Sequence, residues 1–472
     1  MPKTFKEQNS ELFAHLLNTL YEYNKVDSTQ ENYSIPVMEL YLTPTCNQQC
    51  EYCYLQKNKE HLYPSSLDDK ATILKNLRIL FDYYLEKGYS FKRIDLFSGE
   101  IQGYPYGNEV FDILLEYIQK GVKIDFISIP TNASFCFSSD LTNIVNQYIY
   151  KFSRLGTRVS YSISYDGPYL DAISRPNSQN IDKNEEYLKN LTTFMKQNLC
   201  GFHPMIAPAT IEYQIENYKS WLKLFDDYFP EEEPLVNYGR IMQLETREVG
   251  WTEPKIIEYL KWLKFMMNAD LEYFFHGNIE AFLKKNAELQ SLPDAIAPQI
   301  LPTKDLWEGY MPYRSGPSAD LLGCVLGKAI CVRLGDLALA PCHRTSYPKF
   351  MLGNFVLNED KTKIIDIECN NYPLASAIYV TGFLTKPVCS TCALNDCCPK
   401  YCLGANYEYS HELFYPVEDN CNLQKAKIVF LYHYYNKLGA ANAWVVNRSY
   451  AALKEKEPEV EKKWSSIVQS LI

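Results

Sequence analysis

The 472-residue chain contains no apolar run close to the roughly 20 residues that a membrane-spanning helix needs. Its opening residues, Met1-Pro2-Lys3-Thr4-Phe5, carry no apolar signal region. There is no excess of positive charge either, with 47 basic against 57 acidic residues, a net charge of −10 and a pI near 5.4. An acidic chain without a basic cluster is poorly suited to binding nucleic acid or an anionic membrane. No internal repeat of fixed period and no low-complexity tract is present, so no repeat array is expected. These absences lead us to expect a soluble, cytoplasmic protein. At 46% hydrophobic and 22% charged it is of ordinary globular composition, and its length suggests about three domains.

Cysteine is abundant instead, at 15 residues. In a long cytosolic chain, cysteines clustered at short spacings point to metal rather than to disulfides. The 38 tyrosines are read as amphipathic packing and carry no functional assignment.

In the first half, six apolar, β-branched or aromatic stretches begin near Val37, Arg93, Lys123, Arg158, Phe202 and Leu235, each followed by a helix-period segment. The first helix is predicted from Ser66 as N-cap, an apolar stripe of Ile73, Leu74, Leu77, Leu80, Phe81 and Tyr84, and a stop at Gly88. The second is predicted over about Asn108 to Lys120, with Val110, Phe111, Leu114, Tyr117 and Ile118 inside and Gly121 as its end. Strands alternating with such helices imply a parallel sheet, here an α/β partial (β/α)6 TIM-like barrel with its chemistry at the C-terminal strand ends. Aromatic helices follow from Glu253 to Leu292 (with Tyr259, Trp262, Phe265, Phe274 and Phe275), then a linker over Pro293 to Pro317. The expected divisions are an N-terminal helical extension (1–36), the barrel (37–245), a helical bridging region (246–320), a cysteine-rich α+β domain (321–425) and a helical tail (426–472). The charge run Lys454 to Lys463 in that tail reads as a solvated face.

Directly after Val37–Thr43 comes Cys46-Asn47-Gln48-Gln49-Cys50-Glu51-Tyr52-Cys53. Three thiolates on one short loop suit three irons of a [4Fe-4S] cube and leave the fourth iron open to a small molecule. A zinc site would want a fourth ligand nearby, for which His61 is the local candidate. C-x3-C-x2-C with an aromatic before the third cysteine, on the loop after strand one of a βα repeat, resembles the radical SAM superfamily. The resemblance implies that S-adenosylmethionine binds the open iron and is cleaved by one electron to a 5′-deoxyadenosyl radical. It extends to other strand ends. Phe97-Ser98-Gly99-Glu100 is similar to the family's Gly-Gly-Glu segment, which meets the methionine amino group. Thr131-Asn132 lies where a ribose-contacting residue stands, and Ser162 and Ser164 share one side of strand four. Asp166-Gly167-Pro168 is similar to the family's strand-end motif, and Arg175 falls where an arginine reaches the methionine carboxylate. The cofactor-binding set implied is Tyr52, Ser98, Gly99, Glu100, Asn132, Ser162, Ser164, Asp166 and Arg175.

Further on, Cys389-x2-Cys392-x5-Cys398-x3-Cys402 is followed by Cys421, with Cys324, Cys331 and Cys342 upstream. The second half resembles the SPASM extension of radical SAM peptide-modifying enzymes. Sulfur spacing by itself is equally that of zinc knuckles. The resemblance implies two auxiliary [4Fe-4S] clusters, one on Cys324, Cys331, Cys342 and Cys402 and one on Cys389, Cys392, Cys398 and Cys421. Gly335 stands six residues before Cys342 where the family has four, which implies an insertion in that hairpin. With Cys46, Cys50 and Cys53 this makes three clusters, and leaves Cys136, Cys200, Cys369 and Cys397 as packing thiols, with Cys369 a candidate substitute ligand. His343 stands where sulfatase-maturing relatives carry an aspartate. It is a candidate base or a hydrogen-bond donor beside a cluster, and no catalytic residue is assigned.

The expected function is radical oxidation of a ribosomally made peptide or small protein to a thioether or carbon–carbon crosslink. A donor such as flavodoxin or ferredoxin, in an anaerobic or low-oxygen bacterium, would supply electrons. The alternatives are a sulfatase-maturase-like enzyme or small-substrate dehydrogenase and, from another class, an iron–sulfur electron carrier without catalysis. About 36 residues precede strand one, fewer than the leader-binding domain of many such enzymes, so a leader is expected to be recognised by a separate protein, by the aromatic helices at 253–292, or not at all.

Overall fold

The computed structural model describes residues 34–102, 107–176, 183–198, 200–241, 244–246, 248–282, 329–375, 391–394, 402–413, 415–439 and 444–472. Most of the expected N-terminal extension, the linker Pro293 to Pro317, and Cys324, Cys389, Cys397 and Cys398 lie outside the described residues. The strands described are β1 (Ser34–Tyr41), β2 (Ser90–Phe97), β3 (Lys123–Ile124), β4 (Phe126–Thr131), β5 (Arg158–Ile163), β6 (Cys200–Phe202), β7 (Met205–Ile206), β8 (Leu244–Glu245), β9 (Ala329–Arg333), β10 (Ala338–Ala340), β11 (Gly353–Leu357) and β12 (Ile364–Cys369). Packing divides the described residues into two compact units. One holds 34–164, 176–200 and 329–375, the other 165–175, 201–282 and 391–472.

In the first unit the sheet runs in the order β12-β11-β10-β9-β1-β2-β4-β5, with β3 beside β2. From β9 through β1, β2 and β4 to β5 every pairing is parallel, while β10, β11 and β12 add on antiparallel. The parallel α/β expectation stands as an open sheet that does not close among the described residues. The helices Tyr54–Leu62, Lys70–Lys87, Gly107–Gln119, Ser139–Arg154 and Glu185–Gln197 belong to the same unit.

The two sheet faces differ. Met38, Leu40, Ile94, Leu96, Ile127, Ile129, Val159, Tyr161 and Ile163 are fully buried on one of them. On that face Met38 meets the hydroxyl of Tyr84 from helix Lys70–Lys87, and the Tyr161 and Phe194 rings lie 5.4 Å apart. The other face carries Glu39, Asp95, Phe97, Ser128, Ser160 and Ser162, and along β4 and β5 it is only half-buried. Parallel strands covered by helices on both sides read as continuous apolar runs, so this alternation sets a polar face apart from the helix-covered one.

Two local expectations are corrected. The first helix begins at Lys70 and not after Ser66. Asp69 is its N-cap and accepts the Thr72 N–H at 2.8 Å, while Ser66 lies in a preceding turn of 3-10 helix. Aspartate accepts this bond and also complements the positive helix end, which outweighs a serine three residues earlier. Ile73, Leu77, Leu80, Phe81 and Tyr84 are buried, and Gly88 (φ 70°) ends the helix as predicted. The sixth strand does not begin at Leu235, because Pro234–Tyr238 is a short helix. Proline at its first position has a fixed φ and no N–H to leave unpaired. Strand pairing resumes beyond it, where Ile241 bridges Phe202 and β8 pairs parallel with β7.

In the second unit, helix Glu253–Phe275 packs on helices Glu418–Lys437 and Pro458–Leu471. Lys427, fully buried, meets Glu245 at 2.5 Å, and the Tyr259 hydroxyl donates to the same carboxylate. Most of Lys454 to Lys463 is exposed, as expected, and no described helix is long and apolar enough to cross a membrane.

The relocated cap has a direct test. Asp69→Ala should speed amide exchange in the first turn, Ala71 to Leu74, about fivefold, the effect of losing a cap worth about 1 kcal/mol. Ser66→Ala should leave those amides unchanged. Hydrogen–deuterium exchange read by mass spectrometry checks both.

Candidate functional site

The three-cysteine loop leaves the C-terminal end of β1. Its entry is fixed by Thr43 and Thr45: the Thr45 N–H donates to Thr43 Oγ1 at 3.0 Å, and the Thr45 hydroxyl donates to Asp68 at 2.5 Å. Within the loop the Gln48 N–H points to Cys46 Sγ at 3.4 Å, and the Cys53 N–H donates to the Cys50 carbonyl at 3.1 Å. Cys53 is the N-cap of helix Tyr54–Leu62, and Tyr52 sits half-buried in the turn before it.

The end of β2 docks on this loop through its backbone. The Gly99 N–H donates to the Thr43 carbonyl at 2.7 Å and the Glu100 N–H to the Thr45 carbonyl at 3.0 Å. A Cβ on residue 99 would lie 2.2 Å from the Thr45 carbonyl oxygen, so only glycine permits this approach. Ser98 stands where the resembling family has its first glycine. The backbone turns there all the same, and the Ser98 Oγ is buried without a hydrogen-bond partner among the described residues.

Glu100 is fully buried. Its carboxylate accepts the Asn132 N–H at 2.6 Å, the Gln102 N–H at 2.9 Å and the Thr131 hydroxyl at 2.9 Å. The Asn132 amide in turn donates to Asn47 Oδ1 at 2.7 Å and lies 3.6 Å from Cys46 Sγ. Cys46, Glu100 and Asn132 therefore come together at the ends of β1, β2 and β4. Burial, and next the Glu100 carboxylate, push the Cys46 thiol up to about 12. Such a thiol gives up its proton readily only to a bound cation, so metal and proton compete at this sulfur.

Among the described residues no three His, Cys, Asp or Glu side chains converge as the ligands of a single metal ion do. A cube, which takes each thiolate on a different iron, does not require that convergence. The orphaned Ser98 hydroxyl, the close approach at Gly99 and the N–H donors around Cys46 fit a polar guest on this loop.

Ser162 lies on the half-buried face of β5 opposite Pro130, and Ser164 follows on the same side, its N–H donating to the Thr131 carbonyl at 2.7 Å. In the second unit, Asp166 is buried and satisfied. It accepts the Ser174 hydroxyl at 2.6 Å and the Met205 N–H at 2.9 Å. Gly167 has φ 112°, and a Cβ there would meet Asn217 and the Trp221 indole nitrogen. Arg175 is buried, with its Nε 3.7 Å from Asp171 Oδ1.

The polar sheet face of the first unit was not read from the sequence as a site. By register, Cys331, Glu39, Asp95, Ser128 and Ser160 form one row across β9, β1, β2, β4 and β5. Glu39 Oε2 accepts the His343 backbone N–H at 2.8 Å and lies 3.2 Å from His343 Nδ1. The His343 ring stacks on Phe97, with centroids 3.5 Å apart and planes 13° apart. Asp95 accepts Arg93 Nε at 2.6 Å, and its carboxyl is pushed up to about 6, chiefly by burial, with Arg93 opposing and Glu39 adding to the shift. The missed signal was a carboxylate in the middle of each of two apolar strands, Val37–Tyr41 and Arg93–Phe97, since such groups are rarely buried without a purpose.

Cys331 is fully buried, and the β9–β10 hairpin brings Cys342 close to it. Burial, then Glu39, then Cys342 raise the Cys331 thiol well above its usual range. Cys369 closes β12 opposite Gly353, which faces Leu339 and through it Val332. That row belongs to the opposite sheet face from Cys331, which argues against Cys369 as a substitute ligand. Cys136 and Cys200 are near neighbours within the first unit. In the second unit, Cys402 precedes helix Leu403–Ser410 and Cys421 lies in the first turn of Glu418–Lys437. The Leu394 N–H points to Cys392 Sγ at 3.4 Å, and Lys425, which pairs with Glu457 at 2.5 Å, lies near both Cys392 and Cys421.

No protein-family model matches the chain, and no curated protein matches its sequence. Among solved structures it is similar to native anSMEcpe with bound AdoMet, with a TM-score of 0.53 at 14% identity, over 90% of this chain and 100% of the other. A polyhistidine-tagged form of anSMEcpe with bound AdoMet matches with a TM-score of 0.50 at 13% identity, over 92% and 98%. At such identity the likeness is one of fold.

The raised Asp95 carboxyl makes stability depend on pH. Its pKa is higher folded than the ordinary 3.8, so its contribution is present in full below about pH 4 and is lost as pH rises through about 6. Between about pH 4 and about pH 7 the wild type should lose on the order of 3 kcal/mol relative to Asp95→Asn. Urea unfolding of both proteins at the two pH values checks this, and parallel pH profiles would contradict it.

Proposed function

We propose that the chain is a radical SAM enzyme, built on a partial barrel with a SPASM-type C-terminal region, that oxidatively modifies a ribosomally made peptide by forming a thioether or carbon–carbon crosslink. The observation that carries this reading is the meeting of Cys46, Glu100 and Asn132 at three neighbouring parallel strand ends, on a fold similar to AdoMet-bound structures. When bound, a [4Fe-4S] cluster with S-adenosylmethionine supplies one-electron cleavage of a sulfonium and hence a carbon radical.

The chain's own part is holding and orienting. Cys46, Cys50 and Cys53 would hold three irons. Asn132 aims an N–H at the Cys46 sulfur, a contact of the kind that fixes and tunes a ligand. Glu100, already oriented by the Asn132 and Gln102 N–H groups, offers carboxylate oxygens to an ammonium, and Gly99 keeps its strand end against the loop. Ser98, Ser162 and Ser164 offer hydroxyls at strand ends, while Tyr52, Asp166 and Arg175 are assigned to the cofactor by resemblance alone. Cys324, Cys331, Cys342 and Cys402, with Cys389, Cys392, Cys398 and Cys421, would hold two auxiliary clusters that give the oxidised product an electron exit. A flavodoxin- or ferredoxin-like donor would supply the first electron.

A second reading, sulfatase maturation, is favoured by the solved structures, which are of an anaerobic sulfatase-maturating enzyme. Against it stands His343, at the place where such relatives carry an aspartate. An electron carrier without catalysis would leave the strand-end residues without a role.

The test is anaerobic. Reconstituted protein with a strong reductant and S-adenosylmethionine should release 5′-deoxyadenosine, and Cys50→Ala should reduce it to background. Iron should fall from about twelve to about eight per chain in that variant. A full complement of iron with no 5′-deoxyadenosine in the wild type, or zinc in place of iron, would overturn the assignment. Conversion of a sulfatase peptide to its aldehyde would select the second reading.

A further inference from the structure

Mid-strand carboxylates on a parallel sheet are costly. Glu39 is fully buried and Asp95 is 2% exposed, and the register sets them directly opposite each other. Cys331 continues the row on the other side of Glu39. Of the nearby cations, Arg93 is engaged with Asp95, and Arg333 is held by Asp336 at 2.6 Å and by the Leu62 carbonyl at 2.9 Å. His343 takes up one oxygen of Glu39. The other, Oε1, is buried and has no hydrogen-bond partner among the described residues. One row nearer the strand ends on the same face, the Tyr41 hydroxyl is likewise buried and unpartnered, on a residue 1% exposed. A buried carboxylate oxygen left unmatched is penalised far more than a matched one is rewarded, so these atoms call for a donor from outside the fold.

The donor's class follows from charge. A neutral amide would satisfy Oε1 but leave the buried charge of Glu39 unopposed, since Arg93 is taken up by Asp95, whereas a cation answers both. The stacked His343 and Phe97 rings lie beside Glu39, a surface suited to an alkylammonium stem or a planar guanidinium. We propose that Glu39 and Asp95 form a subsite for a basic side chain of the substrate, the ammonium of a lysine or the guanidinium of an arginine. This deepens the proposed function and rests on it in one respect, that the substrate is a peptide.

The experiment reads binding without catalysis. Full-length, anaerobically reconstituted protein with S-adenosylmethionine is used to select from a displayed library of random twelve-residue peptides, in parallel with Glu39→Gln and Asp95→Asn. Circular dichroism and iron content confirm that each variant is folded and loaded. If Glu39→Gln fails this check, Asp95→Asn carries the comparison. The wild type should enrich lysine or arginine at one position about tenfold, the discrimination expected of one charge-assisted hydrogen bond, and a folded variant should fall below about twofold. Basic enrichment that persists in the folded variants overturns the subsite. So does a wild-type selection that yields binders without a basic residue, or no binders at all. Release of 5′-deoxyadenosine by the wild type, measured on the same preparation, separates the two claims. Its absence counts against the radical reading while the library result stands or falls independently.

Discussion

The pairing of β1 on both of its edges is the constraint from which the rest of the first unit follows. It is parallel to β2 over seven registered positions and to β9 over five. Parallel pairing aligns strand ends, so the loops after β1, β2 and β4 emerge together, and the loop after β1 carries the cysteines. Two consequences of that alignment are visible at atomic scale. Gly99 lies so close to Thr45 that no side chain fits, and Glu100 is within reach of the amides that follow β4. The same register fixes which residues share a face, because a slip of one residue would move Glu39 and Asp95 under the helices and bring Leu40 and Leu96 out.

Much of this arrangement was legible in the sequence, for physical reasons that differ by element. The helix Lys70–Lys87 announced itself through a stripe at helical spacing and a glycine at its end, both local signals. The loop cysteines and Glu100 stood out because their spacing follows directly on a strand. What could not be read was long-range. Nothing within Ala329–Arg333 says that it pairs with β1, some 290 residues earlier, because pairing partners are not encoded in periodicity. The same holds for the face on which Cys369 falls, which depends on three successive registers. The cap at Asp69 was missed for a smaller reason, since a serine and an aspartate competed within one turn and the aspartate accepts the better bond. Leu235 was misread because an apolar pair beside proline suits a short helix as well as a strand.

Burial shapes the chemistry of the cysteine sulfurs as much as their spacing does. Cys46 and Cys331 are both raised by desolvation, and each has a carboxylate among its causes, Glu100 and Glu39 respectively. Thiols so placed are poor nucleophiles and resist ionisation without a counter-cation. In the proposed function they would hold metal rather than react as free thiols, and the same carboxylates that hinder proton loss would favour the cation that replaces the proton.

The carboxylates of the fold can be compared by how fully they are matched. Glu100 accepts bonds from two backbone N–H groups and a hydroxyl, and Asp166 from a hydroxyl and a backbone N–H. Lys427 and Tyr259 both answer Glu245. Each of these is a group whose charge the fold itself has met. Glu39 differs in having no lysine or arginine against it among the described residues, with one oxygen tied to His343 and the other left buried beside a second carboxylate. Had the role of Glu39 been only to hold His343, a neutral acceptor on β1 would have served without the burial cost of a charge. The strand instead retains a full carboxylate, directly opposite Asp95, on the polar face of the sheet. An interaction that the native fold leaves unmade, in a row of buried polar groups, is the physical form that recognition of an outside group takes before that group arrives.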